Sequence, residues 1–270
     1  MRSILLNVDS GPTLDLRLQL ALSLARATGG HLSCLHVTPI GAYTAFDGFG
    51  GVFVMDQVID ALTQQEASLR ADIEERLARE DVSWDYAAVT GSVVHTLLGH
   101  ASLADVLITG RHTYPGYRPP SPAEIGDLLL LARSPMIVVA DEPAPFDPTG
   151  KAVIAWNGRA EAAHAVRGTI GLLKLASSVD VIRVGADDRS LFPSTRVLEY
   201  LSGHDIHANL VIEDVEPDFV AAALVAKAQE AKAAYLVMGG YGHTRIGEYI
   251  FGGVTRSLLT ACPVHLVLSH

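Results

Sequence analysis

The spacing most suggestive of chemistry runs from Met238 to Thr255. Gly239, two residues, Gly242, nine residues beginning with His243, then Gly252, Gly253, Val254 and Thr255 follow one another there. Glycines leave backbone amides unshielded and allow positive φ, and a helix starting near Gly253 adds free N–H groups and the positive end of its dipole. Such a turn suits phosphate oxygens. It works even in an acidic chain, because backbone amides bring no counterbalancing acid, and His243 and Arg245 lie in the same loop. The alternative is a glycine-rich turn that only caps a helix.

Other chemistries find no pattern. The chain has no G-x-S-x-G elbow, no Walker loop, no H-E-x-x-H pair and no cysteine-pair metal motif. His36, His95, His100, His164, His204 and His207 share no ligand spacing and read as surface or satisfied core positions. No catalytic residue and no metal site is expected. The two cysteines, Cys34 and Cys262, fall in apolar strand-like runs and read as buried reduced thiols, which points to a reducing, cytoplasmic setting.

Composition narrows the field further. With 49% hydrophobic and 19% charged residues, the 270-residue chain buries a large core without metal or disulfide staples, which excludes disorder, collagen and coiled coil. A net charge of −10 argues against a protein that coats nucleic acid. No uncharged apolar run reaches the roughly 18 residues of a membrane span, and the short run before Asp9 is too brief for a signal peptide.

The elements that position the glycine turn alternate strand and helix, the signature of a mostly parallel sheet. Strands are expected at Ile4 to Val8, His31 to Val37, Ser83 to Thr90, Asp105 to Thr109 and Pro135 to Ala140. Helices are expected at Thr13 to Thr28, Asp56 to Glu80, Val93 to Ser102 and Ile125 to Arg133, with Asp56 and Ser92 as N-caps. After a proline-rich linker, Asp141 to Gly150, the order repeats, with strands at Ala152 to Trp156, Val179 to Val184, Ala208 to Ile212, Ala234 to Met238 and Val264 to Leu268. Phe219 to Lys232 reads as a sheet-packing helix. The text SILLNVD aligns with KAVIAWN at an offset of 148, and VLITG with YLVMG at 129, so the first half carries 19 extra residues. They fall around Gly41 to Met55 and in a longer second helix. That loop is long enough to be a lid, a contact surface or disordered.

In this setting the glycine spacing resembles the universal stress protein (UspA) family and its ATP-binding signature G-x2-G-x9-G-[ST]. The resemblance covers both halves, so the chain is similar to a tandem member, with one domain at residues 1–141 and another at 151–270. It implies an α/β fold of two repeated, open, mostly parallel five-stranded sheets with helices on both faces, Rossmann-like and akin to the adenine nucleotide alpha hydrolases. Carried over by position, Gly239, Gly242 and Gly252 match the signature glycines, Val184 and Met238 the apolar residues flanking adenine, and Val254 and Thr255 follow the phosphate turn. Gly253 stands where the signature has Ser or Thr, and Asn157 where the first strand usually ends in Asp. Trp156 either lines the base pocket or is a buried strand-end residue.

The resemblance therefore implies a stress-response regulatory protein that binds ATP, or ADP or AMP, with Mg2+, in its second domain, with at most slow hydrolysis. Its alternative is a scaffold that binds no nucleotide and acts through an unknown protein partner. The first domain keeps Asp9 but has Pro115, Pro119, Pro120 and Pro122 after Gly110, and prolines supply no amide donors, so no phosphate cradle is expected there. Arg111 and His112 read as solvated loop residues, the alternative being a small anion or partner site. Family domains pair through their last strands, so Pro135 to Ala140 and Val264 to Leu268 are expected to meet in an intramolecular pseudo-dimer, with a further homodimer open.

Overall fold

The computed structural model describes residues 1–39, 45–46, 52–53, 56–111, 122–140, 146–185, 192–240 and 253–270. The first half runs β1 (Ser3–Val8), α1 (Leu14–Thr28), β2 (His31–Pro39), β3 (Ala45–Phe46), β4 (Val52–Phe53), α2 (Asp56–Leu77), β5 (Ser83–Gly91), α3 (Val93–Ala101), β6 (Val106–Thr109), α4 (Pro122–Leu131) and β7 (Met136–Val138). The second runs β8 (Ala152–Trp156), α5 (Ala160–Leu173), β9 (Val179–Val184), α6 (Ser194–Ser202), β10 (Ala208–Glu213), α7 (Val220–Glu230), β11 (Tyr235–Gly239), α8 (Gly253–Ala261) and β12 (His265–Ser269). Short apolar runs become strands and Leu/Ala stretches of helical period become helices, as the sequence pattern requires.

Ten strands form one sheet in the order β10-β9-β8-β11-β12-β7-β6-β1-β2-β5. Each half contributes five mutually parallel strands with its first strand beside its fourth, and the halves meet where β12 pairs antiparallel with β7, Val267 opposite Ile137. This is the pairing expected of the two last strands. The sheet is therefore a single mixed one, open at β5 and β10. Central strands β6 and β12 are buried along their length, whereas β5 and β10 keep exposed positions, the difference expected between doubly covered and edge strands.

Side chains alternate across the pleat, so each strand feeds two cores. One face packs under α1, α2, α5 and α6, with Leu18, Leu77, Val166 and Leu201 fully buried. The other packs under α3, α4, α7 and α8, with Leu97, Leu128, Leu224 and Leu258. Local signals end the helices as expected. Ser92 caps α3 by accepting from the His95 amide at 3.5 Å, and Gly29 closes α1 in the left-handed conformation at φ 58°. Asp56, expected as an N-cap, is instead the first residue inside α2.

Two expectations change. The segment Gly41 to Met55 carries a two-residue hairpin, β3 with β4, too short to be read from alternation; its other residues lie outside those described, so its role stays open. Cys262 follows α8 and precedes β12 instead of lying in a strand. Both cysteines are nevertheless free and buried.

Burial, with Asp85 nearby, pushes the Cys34 thiol from its ordinary 9.0 up to about 12, and burial likewise pushes the Tyr86 phenol to about 12. The folded chain holds these protons to higher pH than the unfolded chain does, so unfolding releases protons above the ordinary thiol range. Stability is expected to fall as pH rises from about 9 toward 12, by about 1.4 kcal/mol per pH unit for Cys34. Urea midpoints on either side of that threshold measure the effect. A disulfide-exchange reagent at about pH 8 should label Cys34 only on unfolding; rapid labelling of the folded chain would contradict the assignment.

Candidate functional site

In an open parallel sheet the ligand crevice opens beyond the carboxyl ends of two strands whose connections leave in opposite directions. Here that point falls between β8 and β11 in the second half and between β1 and β6 in the first. Because β7 and β12 run antiparallel, the two crevices lie at opposite edges of the sheet. A site shared by both halves is thereby excluded.

In the second half, Met238 on β11 is level with Ala155 on β8, which is level with Ile182 on β9; Val184 lies two residues further along. Met238, Ala155 and Val184 all turn to the α7/α8 face. Ala155, small and half-buried, thus lies between the larger Met238 and Ile182, with Val184 beyond it toward the strand end. At the same edge Asn157 is exposed, and its Oδ1 accepts the Arg159 amide at 3.1 Å, an Asx turn that leads into α5. Gly239 packs directly on the backbone of Glu161 and Ala162, and an added Cβ would lie 2.5 Å from the Ala162 nitrogen. Glycine is required there by close approach. Gly253 opens α8 with no neighbour within 4 Å of an added Cβ, Val254 is half-buried and Thr255 is buried. Gly242, His243 and Gly252 lie outside the described residues.

Trp156 does not join this group. It ends β8 one residue after Ala155, so the pleat turns it to the α5/α6 face, among Val166 and Val197. The base-pocket role considered for it is withdrawn, and of its two readings the buried strand-end residue holds.

The first-half crevice is filled. Asp9 and Arg17, both buried, form an ion pair in which Nη1 donates to Oδ2 at 2.7 Å and Nη2 donates to Oδ1. Arg17 Nη1 also donates to the Asn7 carbonyl at 2.6 Å, Gly11 N donates to Asp9 Oδ1 at 3.0 Å, and Asn7 Nδ2 reaches Thr109 Oγ1 at 3.3 Å. An added Cβ on Gly110 would come within 3.0 Å of Thr13 Oγ1 and 3.5 Å of Arg17 Nε. At the offset of 148 the second half has Asn157 for Asp9 and the buried Ala165 for Arg17. Sequence reasoning weighed Asp9 alone. The missed signal was Arg17, a cation inside the leucine-rich face of α1.

Arg111 is also corrected. It is 7% exposed, not solvated, and its Nη1 donates to the Cys262 carbonyl at 2.6 Å and, at 3.5 Å, to that of Leu258. It thereby satisfies carbonyls at the carboxyl end of α8, where the helix dipole favours a cation. His112 lies outside the described residues. Among those described, no cluster of three metal-ligating side chains exists, and no helix is long and apolar enough to cross a membrane.

No protein-family model matches the chain, and no curated protein matches it in sequence. Solved structures match it in fold. A universal stress protein from Archaeoglobus fulgidus DSM 4304 superposes with a TM-score of 0.74 at 16% identity, over 98% of this chain and 97% of that one. A candidate universal stress protein from Pseudomonas aeruginosa UCBPP-PA14 gives 0.64 at 17% identity, over 100% and 93%. The cytoplasmic domain of a prokaryotic cation chloride cotransporter gives 0.52 at 11% identity, over 99% and 94%. The chain has the universal stress protein fold along its whole length.

Replacing Arg17 by Met is expected to cost about 3–5 kcal/mol of stability, because it strands the Asp9 carboxylate in the interior. Adding Asp9→Asn, which approaches the Asn157 and Ala165 arrangement of the second half, should recover a large part. Urea denaturation of the two variants checks this; equal stability of both would show that the pair is not coupled.

Proposed function

We propose that this chain is a regulatory adenine-nucleotide-binding protein of the stress response, acting in the cytoplasm, with one nucleotide site at the carboxyl edge of β8 and β11. The observation that carries the reading is the small, half-buried Ala155 at the switch point, on one sheet face with Met238 and Val184, together with a helix that begins at the exposed Gly253. At the aligned positions of the first half stand the buried polar Asn7 and Thr109, joined at 3.3 Å, beside the Asp9–Arg17 ion pair. In this reading the chain is a tandem of domains at residues 1–141 and 151–270, and only the second binds.

The base of ATP, ADP or AMP would lie against Val184 and Met238, and Asn157 keeps its side-chain N–H group as a donor at the edge. The phosphates would meet the free amides at the start of α8, from Gly253 to Thr255, with Gly242, His243 and Gly252 contributed by the preceding loop on sequence grounds. Mg2+ would be held mainly by phosphate and water. Such a nucleotide supplies a charge and a binding energy that report its level; turnover is not part of the assigned role.

A second reading, a scaffold that binds a protein partner without nucleotide, is favoured by the missing hydroxyl at Gly253. It also draws on the likeness to a transporter's cytoplasmic domain, since one fold hosts unrelated functions.

Calorimetric titration with ATP separates the two. Ala155→Phe should crowd the place a base would take against Met238 and Val184 and weaken binding more than about tenfold with the fold intact. Gly253→Ser, whose Cβ meets nothing, should tighten it by one neutral hydrogen bond, roughly 0.5–1.5 kcal/mol. No heat of binding at millimolar ATP, or unaltered affinity in Ala155→Phe, would overturn the nucleotide reading.

A further inference from the structure

A cavity of about 380 Å³ opens between α5 and α6, on the sheet face opposite Met238 and Val184. Its volume is that of a small-molecule cleft. The nucleotide reading makes no use of it.

Its lining is aromatic with a surplus of positive charge. Trp156, Phe192, Tyr200 and Val197 supply the apolar walls, and Arg167 of α5 and Arg196 of α6 the cations. Phe192 is 58% exposed and Tyr200 37%, unusual for rings of this size in a soluble domain. The Tyr200 ring is held edge-on by His204, with centroids 4.8 Å apart. Arg196 is matched by Glu199, whose Oε2 lies 2.9 Å from Nη1. Arg167 makes no ion pair among the described residues. Among the described residues one guanidinium therefore has no acid partner beside an aromatic wall.

Trp156 is 5% exposed, so the indole meets the cavity with a small part of its ring and forms its floor.

These features select a chemical class. Flat aromatic walls favour a planar ring stacked or set edge-on. A guanidinium without an acid partner favours a carboxylate, which it binds through paired N–H donors. A polyphosphate is disfavoured, because the one lining cation without an acid partner among the described residues cannot balance several charges in a chain of net charge −10. We infer that this cavity is a second ligand site, taking a small aromatic monocarboxylate whose ring lies against Trp156, Phe192 and Tyr200 and whose carboxylate pairs with Arg167.

The test uses the full chain with para-trifluoromethylbenzoate as probe, followed by fluorine NMR and calorimetry. Saturable binding is expected, with weak or no binding of the neutral carboxamide. Arg167→Ala, at an exposed helix position, should weaken binding by about tenfold or more. In a Trp84→Phe background Trp156 is the sole tryptophan, and its fluorescence should change on addition of the probe. Saturating ATP should leave probe affinity unchanged, because the cavity and the β8/β11 crevice lie on opposite faces. Failure to saturate by about 5 mM probe, equal binding of the carboxamide, an unaltered Arg167→Ala variant, or displacement by ATP would each overturn the inference. The first three outcomes do not depend on whether ATP itself binds.

Discussion

The structure depends most on the antiparallel contact between β7 and β12. A five-stranded parallel sheet ends in a strand with unpaired N–H and C=O groups along one side, a template for association. Each half ends this way, and each satisfies the other, with Leu266, Val267 and Leu268 facing Val138, Ile137 and Met136. These residues are buried on both faces, so the seam lies inside the two cores. Contacts beyond the strands reinforce it. Arg111, at the end of β6, reaches the last carbonyls of α8, and Gly240, at the end of β11, packs against Leu129 of α4.

That contact also sets where function is possible. Parallel strands within each half put both of its functional ends on one edge, and the antiparallel seam points the two edges in opposite directions. The two crevices therefore evolve under separate constraints. One holds an ion pair, because a buried Asp9 needs a buried partner; Arg17 supplies two further hydrogen bonds, to the Thr13 and Asn7 carbonyls, that tie α1 to β1, and Asn7 in turn reaches Thr109 of β6. The other lacks both charges, with Ala165 in place of the arginine and an exposed Asn157 in place of the acid. One topology thus supports a buried polar cluster at one edge and an uncharged, small-residue strand end at the other. The fold alone assigns a function to neither.

Much of this was legible in the residues themselves. Strand and helix positions follow from apolar runs and periodicity: β8 and β9 occupy the expected residues, Ala152–Trp156 and Val179–Val184, and most others differ by one or two at their ends, where hydrogen-bond patterns fray. The glycine spacing is a one-dimensional signal because its meaning, bare amides before a helix, is local. Ser92 as a cap is equally local, since an N-cap and its acceptor bond span only three residues.

What the sequence determined by itself was therefore the alternation of elements, their repetition, and the places where backbone amides are exposed, all set by interactions within a few residues. Only the tertiary structure decided which side chains share a face or a partner. Trp156 and Ala155 are neighbours in the chain, yet the pleat sends them to different cores, one beside an aromatic cavity and the other between Met238 and Ile182. Arg17 and Asp9 read as a helix cation and a strand-end acid until packing buries both and makes pairing obligatory. Arg111 looked solvated because its acceptors lie about 150 residues away, across a seam that local pattern cannot locate. Burial and partnership are properties of distant segments brought together, and a charge left in the interior must be matched by whatever the fold places beside it.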